Sequence, residues 1–145
     1  MLTLPTNFEN DIQSRDTNLI PVVVIGNHIQ DAGVYMNIST NAGDLLPASG
    51  RIFKPLLLNV PSLKESIDIE KRNYKISNVT LNLSNAIYDG ERFSETVATL
   101  YGSLINQEVR IFWVSPSTTD IAFYDVTGSY GDDVRAFQVY YGVIR

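Results

Sequence analysis

Hydrophobic residues recur at every second position over much of the chain, which is the spacing of β-strands whose side chains alternate between two faces. Residues 33–40 alternate in this way, and residues 19–25 form an unbroken run of mostly apolar, largely β-branched side chains. The unbroken run predicts a strand that is buried on both faces. Residues 51–60 carry Pro55, which predicts an edge strand or a bent strand. Residues 41–50 between these strands predict a loop.

The stretch over residues 66–85 changes phase part-way along. Tyr74 and Ile76 occupy even positions, whereas the apolar residues from Val79 to Leu83 occupy odd positions. Because side chains alternate along a strand, one regular strand cannot keep both sets on a single core face. A β-bulge or sharp bend near Ser77 and Asn78 is therefore predicted, as in a sheet that curls into a barrel.

Two segments have helical spacing. Near the start, Thr6 and Glu9 are spaced as a capping box before a short helix over residues 7–15, in which Phe8 and Ile12 share a face.

A longer helix is predicted at about residues 91–104. Asp89 or Ser94 is expected to cap its start, and Gly102 is expected to disrupt its end. The apolar stripe of this helix advances by steps of four, three and four residues: Phe93, Val97, Leu100 and Leu104.

Three strands are predicted in the C-terminal third, at residues 108–114, 121–127 and 134–145. Polar loops join them, and loops this short favour an antiparallel meander in which consecutive strands pair. A second change of phase, between Ala136 and Phe137, predicts a bend in the last strand.

These elements predict a mainly β fold over residues 1–145, a single domain built as a curled antiparallel sheet or β-barrel with one flanking α-helix and a short N-terminal helix. The 44% hydrophobic content suits one core. Because several strands are apolar on both faces, we expect the helix or a neighbouring subunit to cover the second face.

Composition and charge exclude several classes of function. The chain has 11 Lys and Arg against 16 Asp and Glu, a net charge of −5, so it is poorly suited to gripping DNA or an anionic membrane. It has no Cys and a single His, which excludes disulfides and thiolate metal sites. The first sixteen residues lack a basic segment followed by an apolar run, so no secretory signal is expected.

Two pairs of side chains are candidates for catalysis. His28 and Asp31 lie in a predicted turn, where exposure to solvent is the simpler interpretation. Asp68 and Glu70 share one face of a predicted strand, as a glycosidase pair would, but basic residues follow directly and favour a solvated charged face. The sequence therefore predicts no enzyme, no catalytic residue, no metal and no cofactor.

Other polar motifs have equally simple interpretations. Three acidic residues flank the last predicted hairpin and offer oxygen ligands for calcium, but their spacing matches no EF-hand and suits a turn: Asp125, Asp132 and Asp133. Three Asn-X-Ser/Thr sequons are interpreted as chance: Asn37, Asn78 and Asn82.

Aromatic residues are concentrated near the C-terminus: Tyr124, Tyr130, Phe137, Tyr140 and Tyr141. With Trp113 they suit either stacking on sugars or a core face combined with a subunit contact. The second interpretation is preferred.

Residues 56–95 resemble the N-terminal part of bacteriophage tail-tip proteins, the central tail hub or tip attachment proteins. With residues 104–114 and 140–145, the resemblance extends over about residues 54–145. It is a pattern of strand and turn residues with no catalytic signature. The matching pieces are Val60-Pro61-Ser62-Leu63, Glu65-Ser66-Ile67-Asp68, Lys75-Ile76-Ser77-Asn78-Val79, Tyr88-Asp89-Gly90 and Phe93-Ser94.

The resemblance implies a barrel with a flanking helix, related to the tail-tube fold, that forms a ring around the channel through which the genome leaves. It implies a virion protein made in the host bacterial cytoplasm, a trimeric or hexameric ring, and tail tube, distal tail or fibre proteins as partners. Members are usually longer, so the chain is expected to be a reduced version or part of a longer protein. The alternatives are a carbohydrate-binding β-sandwich module of a phage adhesion device and a small hydrolase.

Overall fold

The apolar run near the N-terminus forms one of the two inner strands of a four-stranded antiparallel sheet. The computed structural model describes residues 4–26, 36–63, 65–68, 73–76, 78–100, 102–121 and 135–145. In chain order the elements are α1 (Thr6–Gln13), β1 (Ile20–Ile25), β2 (Met36–Ser39), β3 (Gly43–Leu46), a 3₁₀ turn (Pro47–Ser49), β4 (Arg51–Phe53), β5 (Glu65–Asp68), β6 (Asn73–Ile76), β7 (Ile87–Tyr88), β8 (Glu91–Arg92), α2 (Phe93–Leu100), β9 (Glu108–Val114) and β10 (Phe137–Val143).

The main sheet has the strand order β10-β9-β1-β2, and every neighbouring pair is antiparallel. Residues Val22 to Ile25 of β1 are at most 2% exposed. The prediction that this strand is buried on both faces is confirmed. The mainly β class and the flanking helix are confirmed as well, while the strands of the described residues do not close into a barrel.

A small hairpin covers the first face of the sheet. Val22 and Val24 pack there with Phe112 of β9, and Leu46 of β3 and Phe53 of β4 lie over them, all in one apolar cluster. The prediction of a loop over residues 41–50 is therefore wrong. The left-handed backbone of Gly50, with φ 64°, helps the chain turn from the 3₁₀ segment into β4.

Different segments cover the second face, where Val23 and Ile25 of β1 point. Leu56 and Leu57 are buried against it, and Phe93 and Val97 of α2 pack on it with several half-buried side chains. The described chain thus covers both faces of β1 by itself. Strands that are apolar on both faces therefore do not by themselves require a partner subunit in this protein.

The long bent strand predicted over residues 66–85 is absent. β5 and β6 form a hairpin in which Glu65 lies opposite Ile76, and β6 ends at Ile76. Residues 78–82 belong to no strand, and Leu83 makes only an isolated antiparallel bridge to Leu57. The change of phase therefore marks the end of one strand, because the residues beyond it pack as a separate segment on the second face.

The flanking helix is shorter than predicted and begins differently. α2 covers Phe93–Leu100 instead of residues 91–104. Neither predicted residue caps the helix. Asp89 lies in the two-residue turn between β7 and β8, with φ 54°, and Ser94 lies inside α2. Instead Glu95 Oε2 accepts a hydrogen bond from the Arg92 amide at 2.9 Å, the reach-back half of a capping box. The amide of Ser94 donates to Asn85 Oδ1 at 2.9 Å.

The N-terminal helix is confirmed with different ends and a narrower apolar face. Thr6 is its first residue and makes no side-chain cap, since Pro5 occupies the cap position. Phe8 is 4% exposed, whereas Ile12 is 39% exposed. Phe8 and Ile12 share a side of the helix, as predicted, but only Phe8 anchors it by burial. The predicted capping box is wrong.

The predicted C-terminal meander is wrong in its pairing. β9 pairs with β10 on one side and with β1 on the other, so both of its edges are occupied within the main sheet. The predicted middle strand at residues 121–127 lies outside the described residues except Ile121. The predicted bend near Phe137 is instead a register shift between Gln138 and Tyr140.

Candidate interaction surface on β10

The register shift decides which way the C-terminal half of β10 points its side chains. Beyond it Tyr141 pairs with Arg110 and Val143 pairs with Glu108. Paired and alternate residues of antiparallel strands share a face. These four side chains therefore lie on one face of the sheet end, and we call them the β10 patch.

The β10 patch combines exposed apolar groups with a half-buried ion pair. Tyr141 is 53% exposed and Val143 is 44% exposed. The guanidinium carbon of Arg110 lies 4.9 Å from the centroid of the Tyr141 ring. Arg110 also pairs with Glu108, at 3.3 Å between Nη2 and Oε2, and their side chains are 11% and 19% exposed. The stack and the ion pair restrict the rotamers of Tyr141 and Arg110 before any partner binds.

A further exposed apolar side chain lies next to this sheet end. Ile105 is 64% exposed. Its turn is tied to the end of β10, because the Asn106 amide donates to the Ile144 carbonyl at 2.8 Å and the Ile144 amide donates to the Gln107 carbonyl at 3.0 Å. Ile105 is therefore a separate exposed apolar side chain at the same end of the sheet.

A groove of about 790 Å³ lies beside the same strand half, and its lining includes Tyr141 and Val143 of the β10 patch. Residues of β9, β10 and the segment 78–83 form most of its wall, and Arg145 is the only charged residue among the described ones that line it. Tyr140 lies directly over Gly142, since a Cβ at position 142 would sit 2.5 Å from the Tyr140 hydroxyl oxygen. Glycine is thus required for this ring position. The wall of the groove is of mixed polar and apolar character.

A second exposed apolar surface lies on the connection that follows β4. Leu58 is 66% exposed, Val60 is 52% exposed and Leu63 is 37% exposed. We call these three residues the 58–63 surface. The segment is held in place where the Leu58 amide donates to the Asn82 carbonyl at 3.0 Å.

Most candidate residues from the sequence lie outside the described residues. Asp68 ends β5 opposite Asn73, while its predicted partner Glu70 lies outside the described residues. The other candidates outside the described residues are His28, Asp31, Tyr124, Asp125, Tyr130, Asp132 and Asp133. Among the residues that are described, no three His, Cys, Asp or Glu side chains form a group that could hold a metal ion.

The three sequons differ in their surroundings. Asn37 is half-buried in β2, where its Oδ1 accepts a hydrogen bond from Arg51 Nη1 at 3.3 Å. Asn78 and Asn82 are exposed and lie outside regular strands.

The described aromatic residues do not form one flat platform. Trp113 pairs with Phe137, whose ring centroid lies 5.3 Å from that of Phe8. Tyr141 pairs with Arg110 and shares its face of the sheet. Arg110 and Trp113 are three residues apart along β9, so their side chains point to opposite faces, and Tyr141 and Trp113 do so as well. Each face of the sheet end therefore presents a different aromatic surface.

Sequence reasoning missed the Glu108–Arg110 pair and its stack with Tyr141. The sequence did carry a signal for the ion pair, because opposite charges two residues apart on a strand share a face. The contact with Tyr141 was not visible, since it depends on the register shift in β10.

One carboxylate in the described residues has a clearly perturbed pKa. Hydrogen bonds from Ser115 and Ser117 hold the pKa of Asp11 below its ordinary value, although partial burial acts in the opposite direction. The cluster joins α1 to the turn after β9.

No helix in the described part of the chain is long and apolar enough to cross a membrane. No family model, curated protein or solved structure matches this chain.

Proposed function

We propose that this protein is a structural subunit of a bacteriophage tail, a ring-forming hub or adaptor around the channel through which DNA leaves. The proposal begins from the resemblance of residues 54–145 to tail hub proteins and from the mainly β fold with a flanking helix. The observation that carries it is the β10 patch, an exposed apolar surface on a structured strand.

The chemistry of the β10 patch suits a protein contact. Tyr and Arg are enriched among the residues that dominate binding energy at protein interfaces. Tyr141 is held over Arg110, and Arg110 is already paired with Glu108, so little rotamer freedom remains to be lost on binding. A partner that covers Tyr141 and Val143 would bury apolar surface without leaving an unpaired charge beneath it.

A closed ring also needs a second surface on each subunit. Head-to-tail contacts join two different patches, and they close into a ring when the rotation between subunits allows it. The 58–63 surface is a second exposed apolar region, formed by Leu58, Val60 and Leu63. We assign it as the surface that meets the β10 patch of the neighbouring subunit.

The charge of the chain fits a channel wall. The net charge is −5, and like charge keeps DNA from adhering to a surface that it must pass. We therefore expect an assembled ring to bind no DNA in a gel-shift experiment at physiological salt.

The proposal is tested by the mass and shape of the purified protein, using light scattering during size exclusion and electron microscopy. Rings of three or six copies are expected, alone or on addition of tail-tube protein. Val143→Asp in the β10 patch is expected to abolish them. Ile52→Asp is the matched control, because Ile52 is 72% exposed on β4, outside both surfaces.

A chain that stays monomeric at high concentration with its tail partners and is missing from virions contradicts the proposal. Equal loss of assembly in both Asp variants contradicts the assignment of the β10 patch. Selective glycan binding that is lost in Trp113→Ala would instead support the carbohydrate-binding alternative.

A further inference from the structure

The N-terminal helix is attached to the sheet through very few groups. Among the described residues, Phe8 is its only buried side chain, at 4% exposure, and it meets Phe137 with 5.3 Å between ring centroids. Within the part of the chain that the structure describes, its side chains form hydrogen bonds to the sheet only through Ser115 and Ser117, in the turn that follows β9. The helix is thus fixed by one ring and one polar cluster.

Asp11 is the centre of that cluster. Its Oδ2 accepts hydrogen bonds from Ser115 Oγ at 2.5 Å and from the Ser117 amide at 2.8 Å. Its Oδ1 accepts one from Ser117 Oγ at 2.8 Å. The remaining polar link is longer, 3.4 Å from Asn7 Nδ2 to the Ser117 carbonyl. A single carboxylate therefore supplies three of the four polar links.

The turn that receives α1 is held without it. Thr118, 3% exposed, accepts a hydrogen bond at its Oγ1 from the Ser115 amide at 3.0 Å. The same hydroxyl donates to the Ser115 carbonyl at 2.7 Å. The next residue is anchored to the 3₁₀ turn, since the Ala48 amide donates to the Thr119 carbonyl at 2.8 Å. The receiving turn therefore keeps its shape when α1 is absent.

Once α1 leaves the sheet it does not remain a helix. It has eight residues, whereas isolated helices below about 12–15 residues are marginal in water. Its C-terminal turn is closed locally, where the Asp11 carbonyl accepts hydrogen bonds from Ser14 and Thr17. That closure belongs to the helix and adds no contact to the sheet. Release of α1 and its local unfolding are therefore one event.

We propose that α1 is a strap that opens and closes as a unit separate from the sheet, with the Asp11 carboxylate as its latch. When the strap is closed, Phe8 covers Phe137 and Asp11 occupies the hydroxyls of Ser115 and Ser117. When it is open, Phe137 and the receiving turn face solvent while the main sheet remains folded. The energetic basis is local unfolding of a weakly attached element.

Trypsin cleavage after Arg15 measures the opening directly. Arg15 is exposed in the bend that follows α1, and cleavage there requires several residues on either side to become extended. When opening and closing are fast, the rate of release of peptide 1–15, followed by mass spectrometry, reports the open population. The only Trp, Trp113, lies on the sheet and reports global unfolding in urea.

Asp11→Ala is expected to accelerate release of peptide 1–15 by about tenfold or more, because three hydrogen bonds to a charged group are lost. Ser117→Ala leaves α1 unchanged and is expected to give a smaller acceleration in the same direction. Glu9→Gln is the matched control, since it removes an exposed charge from the same helix, and it should leave the rate unchanged. The urea midpoint of the sheet should stay the same in all three variants.

Two results would overturn the proposal. One is release of peptide 1–15 from Asp11→Ala no faster than from Glu9→Gln. The other is a rise in cleavage at sites throughout the chain with a matching fall in the urea midpoint, which would mean that α1 opens only when the sheet unfolds.

Discussion

Replacing Leu46 with alanine tests whether the β3–β4 hairpin is part of the core. The sequence pattern predicted a loop at this position, and a surface substitution in a loop costs about 0.5 kcal/mol or less. In the structure Leu46 is fully buried and packs with Phe53 and Phe112 over the first face of the sheet. The two views therefore predict very different losses of stability.

The expected magnitude follows from burial and from the rigidity of the surroundings. Leu→Ala in a core costs about 2–5 kcal/mol, and the cost is larger where neighbours cannot close the cavity. The neighbours Phe53, Phe112 and Val22 are each 0% exposed and come from three different strands. Because such a site collapses poorly, we expect a loss of about 3 kcal/mol for Leu46→Ala.

Urea unfolding followed by Trp113 fluorescence measures this loss. With a slope of about 1–3 kcal/mol/M, a loss of about 3 kcal/mol lowers the midpoint by roughly 1–3 M. Leu46→Met conserves volume and should cost less than about 1.5 kcal/mol. Ile52→Ala is the control in the same hairpin, since Ile52 is 72% exposed and should change stability by about 0.5 kcal/mol or less. A midpoint for Leu46→Ala equal to that of Ile52→Ala would refute the account of how the first face is covered.

Three further predictions follow from single contacts. Ser39→Ala removes the hydroxyl that donates at 3.0 Å to a β1 carbonyl, and we expect a loss of about 1–3 kcal/mol in urea unfolding, with Ser39→Thr closer to wild type. Hydrogen bonds from Ser115 lower the pKa of Asp11, so the strap is fully stabilised above pH 3.8, the ordinary pKa of this carboxyl, and weakens as pH falls through the lowered pKa. Asp11→Asn should remove this pH dependence, as measured by hydrogen exchange of the α1 amides across acid pH. Gly142→Ala displaces the Tyr140 ring, because the Tyr140 hydroxyl oxygen would lie 2.5 Å from the new Cβ, and it should lower the free energy of unfolding by about 1–3 kcal/mol. In a Tyr140→Ala background the same substitution should lower it much less.

Much of the local structure was accessible from the pattern of residues. The run at residues 19–25 indicated a strand buried on both faces, and burial of Val22 to Ile25 confirms it. The alternation around Met36 and the apolar spacing around Phe93 placed β2 and α2 correctly in type, although not in length. These signals are local, because each depends only on the period with which side chains point to one side.

The errors arose where the role of a residue depends on distant parts of the chain. Leu45 and Leu46 stand in a polar stretch without a clear period, and they become core only because β3 lies over β1. The residue pattern of β9 does not show whether this strand pairs with the segment that follows it or with β1. Loop length alone therefore favoured the meander. The candidate surface has the same origin, since Tyr141 reaches Arg110 only through the register shift in β10.

The sequence by itself determined that this chain is mainly β, that one strand is apolar on both faces and that the chain is acidic, because period and composition belong to each segment alone. Tertiary structure alone decided which segments cover those faces, where the carboxylate of Asp11 finds its donors and which aromatic side chains remain in solvent. The reason is physical: periodicity specifies the direction in which a side chain points, but its partner is set by the packing of segments far apart along the chain.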